Sequence, residues 1–90
     1  MNINIRLRIT GRVQGVFFRN HVKRMAEIIG VNGFVKNEPD GSVFVELEAD
    51  APKVYKLIDY CHHGPENAEV KHVSIIQGDI AGYDNFEIRK

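Results

Sequence analysis

Ninety residues suit one domain, residues 1–90, and a chain this short buries only about 60–65% of the surface that its unfolded form exposes. Twelve Lys and Arg balance twelve Asp and Glu, so the chain lacks the basic excess of a nucleic-acid binder and any anion site has to be local. Cys61 is the only cysteine, which suits a reducing compartment, and no apolar run is long enough for a signal peptide or a membrane span, so the expected location is the cytoplasm.

Residues 3–9 alternate, with Ile3, Ile5, Leu7 and Ile9 on one side and Asn4, Arg6 and Arg8 between them, which predicts a half-buried strand with one wet face. Two glycines between Thr10 and Gly15 break the pattern and predict a loop. From Phe18 the spacing becomes helical through Val22, Met25, Ala26 and Ile29, and Gly30 is a stop signal. Val31 to Lys36 is short and β-prone, Glu38-Pro39-Asp40-Gly41 reads as a hairpin turn, and Val43, Val45, Leu47 and Ala49 alternate as a third strand. A second helix begins after Asp50, a suitable capping residue, with Pro52 in its first turn; Val54, Leu57, Ile58 and Cys61 line one face, and Gly64-Pro65 ends it. Val70 to Ile76 predicts a fourth strand whose imperfect alternation suggests a bulge, and Phe86 and Ile88 mark a short final strand after a polar stretch. The order βαββαβ, plus that last strand, predicts an α+β, ferredoxin-like split βαβ sandwich: an antiparallel sheet with two helices on one face. Such a fold names no function by itself.

Chemistry concentrates between the first strand and the first helix, in Gly11-Arg12-Val13-Gln14-Gly15-Val16-Phe17-Phe18-Arg19. Glycines let such a loop turn its N–H groups inward as a nest for an anion, and the unpaired N–H groups of the following helix add positive potential. Arg19, in the helix's first turn, can add a permanently charged two-pronged clamp. The loop matches neither a Walker phosphate loop nor a dinucleotide fingerprint. On these grounds alone an ordinary loop with a surface arginine is the favoured description, since helix starts are common and most bind nothing.

Gly11-x-Val13-Gln14-Gly15-Val16-x-Phe18-Arg19 resembles the signature of the acylphosphatases throughout. A second signature of that family follows at unbroken spacing: Ala26-x3-Gly30-Val31-x-Gly33-Phe34-Val35-x-Asn37-x2-Asp40-Gly41-x-Val43. Gly64-Pro65-x2-Ala68-x-Val70 and Phe86-x-Ile88-Arg89 look like the family's later segments, so the resemblance spans essentially the whole chain. It implies a hydrolase that converts acyl phosphates, the mixed anhydrides of a carboxylate and phosphate, to carboxylate and inorganic phosphate. It further implies that backbone N–H groups of Gln14, Gly15, Val16, Phe17, Phe18 and Arg19 hold the phosphate, that Arg19 grips it, and that Asn37 positions the attacking water. An amide can hold a water but does not titrate, so Asn37 would aim the nucleophile rather than act as a base. Such an enzyme is expected to need no metal and no cofactor, to act as a monomer without nucleic-acid or membrane partners, and to be inhibited by its product phosphate. In the expected fold the strands of the first and second βα units are neighbours, which lets Asn37 lie beside the 14–19 loop. Many relatives carry a glycine after the third strand where this chain has Ala49-Asp50, which is expected to alter that turn only.

Other residues read as structural. Arg12 is expected to be a solvated loop cation, and His21 a surface residue near the helix start. His62 and His63 are adjacent and face different ways on a helix, and His72 sits alone in a strand. Cys61 and Phe18 are expected in the core. Phe17 stands at the loop mouth, where contact with an acyl group and simple packing are both open. Glu46 and Glu48 alternate with the buried residues of the third strand and are expected on a solvated face. A competing reading, an RNA-binding module of the same topology, needs stacked aromatics that Phe44 alone does not supply. A cradle that binds anions without turnover is separable only by assay.

Overall fold

The computed structural model describes residues 1–90, in which the alternating segments become strands and the helical segments two helices. In chain order these are β1 (Asn2–Arg12), α1 (Phe18–Ile29), β2 (Asn32–Asn37), β3 (Val43–Asp50), α2 (Ala51–His63), β4 (Glu69–Gly78) and β5 (Phe86–Arg89). They form one sheet in the order β4-β1-β3-β2-β5. β1 runs antiparallel to both β3 and β4, and β2 antiparallel to β3, so each helix connects two parallel strands with a third strand between them. This is the ferredoxin-like arrangement expected from the element order. β5 pairs with β2 in parallel, so the otherwise antiparallel sheet is mixed at that edge.

The core lies between the sheet and the helices. Ile5, Leu7 and Ile9 of β1 and Val43, Val45, Leu47 and Ala49 of β3 meet Val22 and Ala26 of α1 and Val54, Leu57, Ile58 and Cys61 of α2 in one cluster. Burying an aliphatic side chain of this size contributes about 1.5–3 kcal/mol, and here no disulfide supplements the core. Phe18 is buried at the start of α1, and Gly64, at the end of α2, passes so close that a Cβ there would stand 2.5 Å from its ring. The first residue of α1 is thus clamped by the last turn of α2, and that holds the preceding loop in place.

Several elements extend beyond their periodic residues. β1 continues through Gly11 and Arg12, which pair with Val70 and Glu69, because backbone pairing does not require apolar alternation. The irregularity expected in β4 is present: Thr10 pairs with His72 and Gly11 with Val70, which leaves Lys71 as the extra residue. Asp50 stands at the cap position of α2 but makes no side-chain cap bond; its carboxylate instead faces the N-terminal amine at 3.4 Å.

The expectation of a wholly wet outer face is corrected. Glu46 and Glu48 are buried, at 6% and 5% exposure, because residues 79–85 fold back across that face. Glu48 accepts the backbone N–H groups of Ala81, Gly82 and Tyr83 and the amide of Asn4, while Glu46 accepts from Asn4 and the Tyr83 hydroxyl at 3.0 and 2.9 Å. Burial pushes the Glu48 carboxyl's pKa up, but these donors outweigh burial and hold it below the usual 4.5. Arg89 of β5 stacks 4.0 Å over Phe34 and closes the edge of the same patch.

Candidate active site

Between β1 and α1 the chain turns through Gly15 at φ 74° and Phe17 at φ 62°, both left-handed. Gly15 adopts this conformation without penalty, and no neighbour would meet a Cβ there, so the need for glycine is conformational. Phe17 occupies the N-cap position of α1 without a side-chain cap bond, and no acidic residue stands in the first turn. The first helical hydrogen bond runs from the His21 N–H to the Phe17 carbonyl at 3.1 Å. No backbone hydrogen bond uses the N–H groups of Gln14 through Asn20. That run of donors and the positive end of the helix dipole share one place.

Above these donors lies an open concavity of about 250 Å³, walled by Gly15, Phe17, Phe18, Arg19 and Asn20. Arg19 is half-buried there, and unlike Arg6, Arg8 and Arg89 it pairs with no carboxylate. Val16 turns away into the core. His21 is exposed, with its Nδ1 2.9 Å from the Phe17 carbonyl. Arg12 is exposed, as expected. Cys61 is fully buried, and burial pushes its thiol up to about 12.

Asn37 ends β2, opposite Val43 of β3. It shares the helix-side face with Val35, since alternate residues of a strand point the same way and Val35 and Val43 are both in the core. Its Oδ1 is shielded from solvent and has no hydrogen-bond partner within the chain. Asn37 is not on the wall of the concavity. β1 neighbours β3 as expected, with β2 one strand further out, so the strand order alone leaves a gap between loop and hairpin.

Gln14 spans it. Its side-chain amide donates to the carbonyls of Glu38 and Ser42, at 2.8 and 2.9 Å, on either side of the hairpin turn that follows Asn37. Asp40 completes the turn by accepting from the Ser42 hydroxyl and N–H, and those two bonds, with Arg8 beside it, hold its carboxyl below the usual range. Sequence reasoning assigned Gln14 only a backbone role and missed both acceptors. They are main-chain carbonyls, which leave no mark on residue identity; the one available signal was an amide with two donors inside the first signature.

Residues 5–88 match the protein-family model described as Acylphosphatase. The chain belongs to the acylphosphatase family. It is 43% identical over 81 residues to an acylphosphatase of Nocardioides sp., covering 90% of this chain and 82% of that protein. It is 44% identical over 84 residues to one from Salinibacter ruber, covering 92% and 88%. The structure of an acylphosphatase from Coxiella burnetii superimposes with a TM-score of 0.94 at 31% identity, covering 98% of this chain and 93% of that one. An acylphosphatase is a hydrolase of acid anhydrides, and its reaction, the hydrolysis of acyl phosphates, is the chemistry in whose terms the loop, Arg19 and Asn37 are to be read. No helix of the chain is long and apolar enough to cross a membrane.

Proposed function

We propose that the enzyme holds its acyl phosphate on the backbone N–H groups of Gln14, Gly15, Val16, Phe17, Phe18 and Arg19, with the Arg19 guanidinium as the charged clamp, and that Asn37 aims the attacking water. The observation that carries this reading is the unbroken run of uncommitted N–H groups from Gln14 to Asn20 beside an arginine with no carboxylate partner. Donors fixed in place before the reaction stabilise charge on the phosphoryl oxygens without reorganising. Asn37 contributes a side-chain amide whose oxygen no protein group uses; an amide can hydrogen-bond the water and orient it without taking its proton.

Attack is in line. The water oxygen bonds to phosphorus, the bond from phosphorus to the bridging oxygen breaks, and the acyl group departs as carboxylate. The water's proton passes to a phosphoryl oxygen. A carboxylate leaves readily, so no general acid is needed, and positioning with charge stabilisation suffices. Arg19 and the loop supply the positive charge that a metal would otherwise bring. A cytoplasmic monomer is the setting we assign, in keeping with Cys61 as a free thiol.

The test is hydrolysis of benzoyl phosphate by the purified chain in EDTA, with inorganic phosphate added as inhibitor. Release of benzoate and phosphate at a rate untouched by the chelator, with competitive inhibition by phosphate, is expected. Loss of activity on chelation, or inhibition that is not competitive, would overturn the reading.

A further inference from the structure

The concavity over the loop is smaller than the roughly 300–1,000 Å³ of pockets that enclose a whole small-molecule ligand. It can take a phosphoryl group, and the acyl group then lies across its rim. Phe17 stands on that rim. Phe17 is 71% exposed, and its backbone is held at φ 62°, a conformation that disfavours any side chain with a Cβ. A phenyl group in water on a disfavoured backbone contributes little to the fold. The burial of Phe18 anchors the backbone of Phe17 next to it, so the ring projects from a fixed point on the wall that also carries Arg19.

We infer that Phe17 determines specificity for the acyl group and makes the enzyme prefer acyl phosphates with an apolar, flat acyl moiety over small ones. The physical basis is a stacking and desolvation contact between two apolar faces just outside the phosphate cradle. Arg19 and Asn20, the other side chains of the concavity's wall that can reach outward, are polar and offer no such contact. This inference rests on the phosphate-binding reading of the loop.

The experiment compares kcat/KM for benzoyl phosphate and acetyl phosphate in the wild type and in Phe17→Ala, Phe17→Gly and Phe17→Tyr. Phe17 also contributes an N–H to the cradle, so its substitution shifts both absolute rates, and the ratio of the two substrates isolates the ring. The wild-type ratio should fall about fivefold or more in the Ala and Gly variants and survive in the Tyr variant. Phe17→Gly should unfold at no lower urea concentration than wild type, because glycine relieves the left-handed backbone. An unchanged ratio in Ala and Gly overturns the inference while leaving the cradle intact. An equal fall in Tyr also overturns it, since the ring would then not be the cause. If the wild type hydrolyses neither compound, the phosphate-binding reading itself fails.

Discussion

The side chain of Gln14 hydrogen-bonds the main-chain carbonyl of Glu38 at 2.8 Å, joining the loop before α1 to the hairpin that begins one residue after Asn37. Because its second donor reaches Ser42, the amide bridges both ends of the turn. The two segments proposed to hold phosphate and water are therefore braced against each other by one side chain.

Gln14→Leu keeps the volume of that side chain and removes both donors. Each carbonyl keeps its turn hydrogen bond, Glu38 from the Gly41 N–H and Ser42 from the Glu38 N–H, but loses a second donor, which costs about 0.5–1.5 kcal/mol per bond, read as a lower midpoint in urea unfolding. Turnover should fall as well, since Asn37 is no longer registered against the loop. A variant with wild-type stability and wild-type kcat would show that the bridge does neither.

Arg19 and Asn37 are expected to separate in their effects. Arg19→Gln should lower kcat/KM about a hundredfold or more, on the order of 3 kcal/mol, and weaken phosphate inhibition, with the fold retained because Arg19 makes no ion pair to lose. Arg19→Lys keeps the charge but not the planar fork and should rescue only part of the loss. Asn37→Ala should reduce kcat far more than it changes inhibition by phosphate. Its stability should hold, because the buried Oδ1 has no protein partner to forfeit. Near-wild-type rates in both variants would remove these residues from the mechanism.

The Glu48 network predicts acid sensitivity. Its folded pKa lies below the usual 4.5, so the stabilisation from the Ala81, Gly82, Tyr83 and Asn4 donors is fully present above that value. It is lost as pH falls through the folded pKa. Urea midpoints followed from neutral to acid pH should drop more steeply below 4.5 in wild type than in Glu48→Gln. Glu48→Gln should be the less stable of the two at neutral pH, since an amide accepts fewer bonds than a carboxylate. Parallel pH profiles would contradict the assignment.

Cys61 offers a reporter of opening. With the thiol fully buried and pushed up to about 12, a thiol-specific reagent at neutral pH should react no faster than the chain unfolds. Rapid labelling of the native protein would place Cys61 outside the core.

The helices were readable because their boundaries are local. Gly30 stops α1 by donating to the Ala26 carbonyl at 2.8 Å, and Pro52 starts α2, both within a turn of the residues they affect. The two signatures were readable because each is a continuous run of residues at fixed spacing, Gly11–Arg19 and Ala26–Val43. Glu46 and Glu48 were misread because alternation tells which residues share a face but not what covers it. Their cover comes from residues more than 30 positions later, where the polar Gly78–Asn85 stretch carried no periodic pattern at all.

By itself, then, the sequence determined the element order, most of the residues facing the core and the two signatures that mark an acylphosphatase, because each depends on the local order of residues. Tertiary structure decided that Gln14 bridges loop and hairpin, that Glu48 is buried under residues 79–85, and that Asn37 faces the helix side with its oxygen unpaired. Those outcomes turn on main-chain acceptors and on contacts between distant segments, which exist only once the sheet has brought the strands into register.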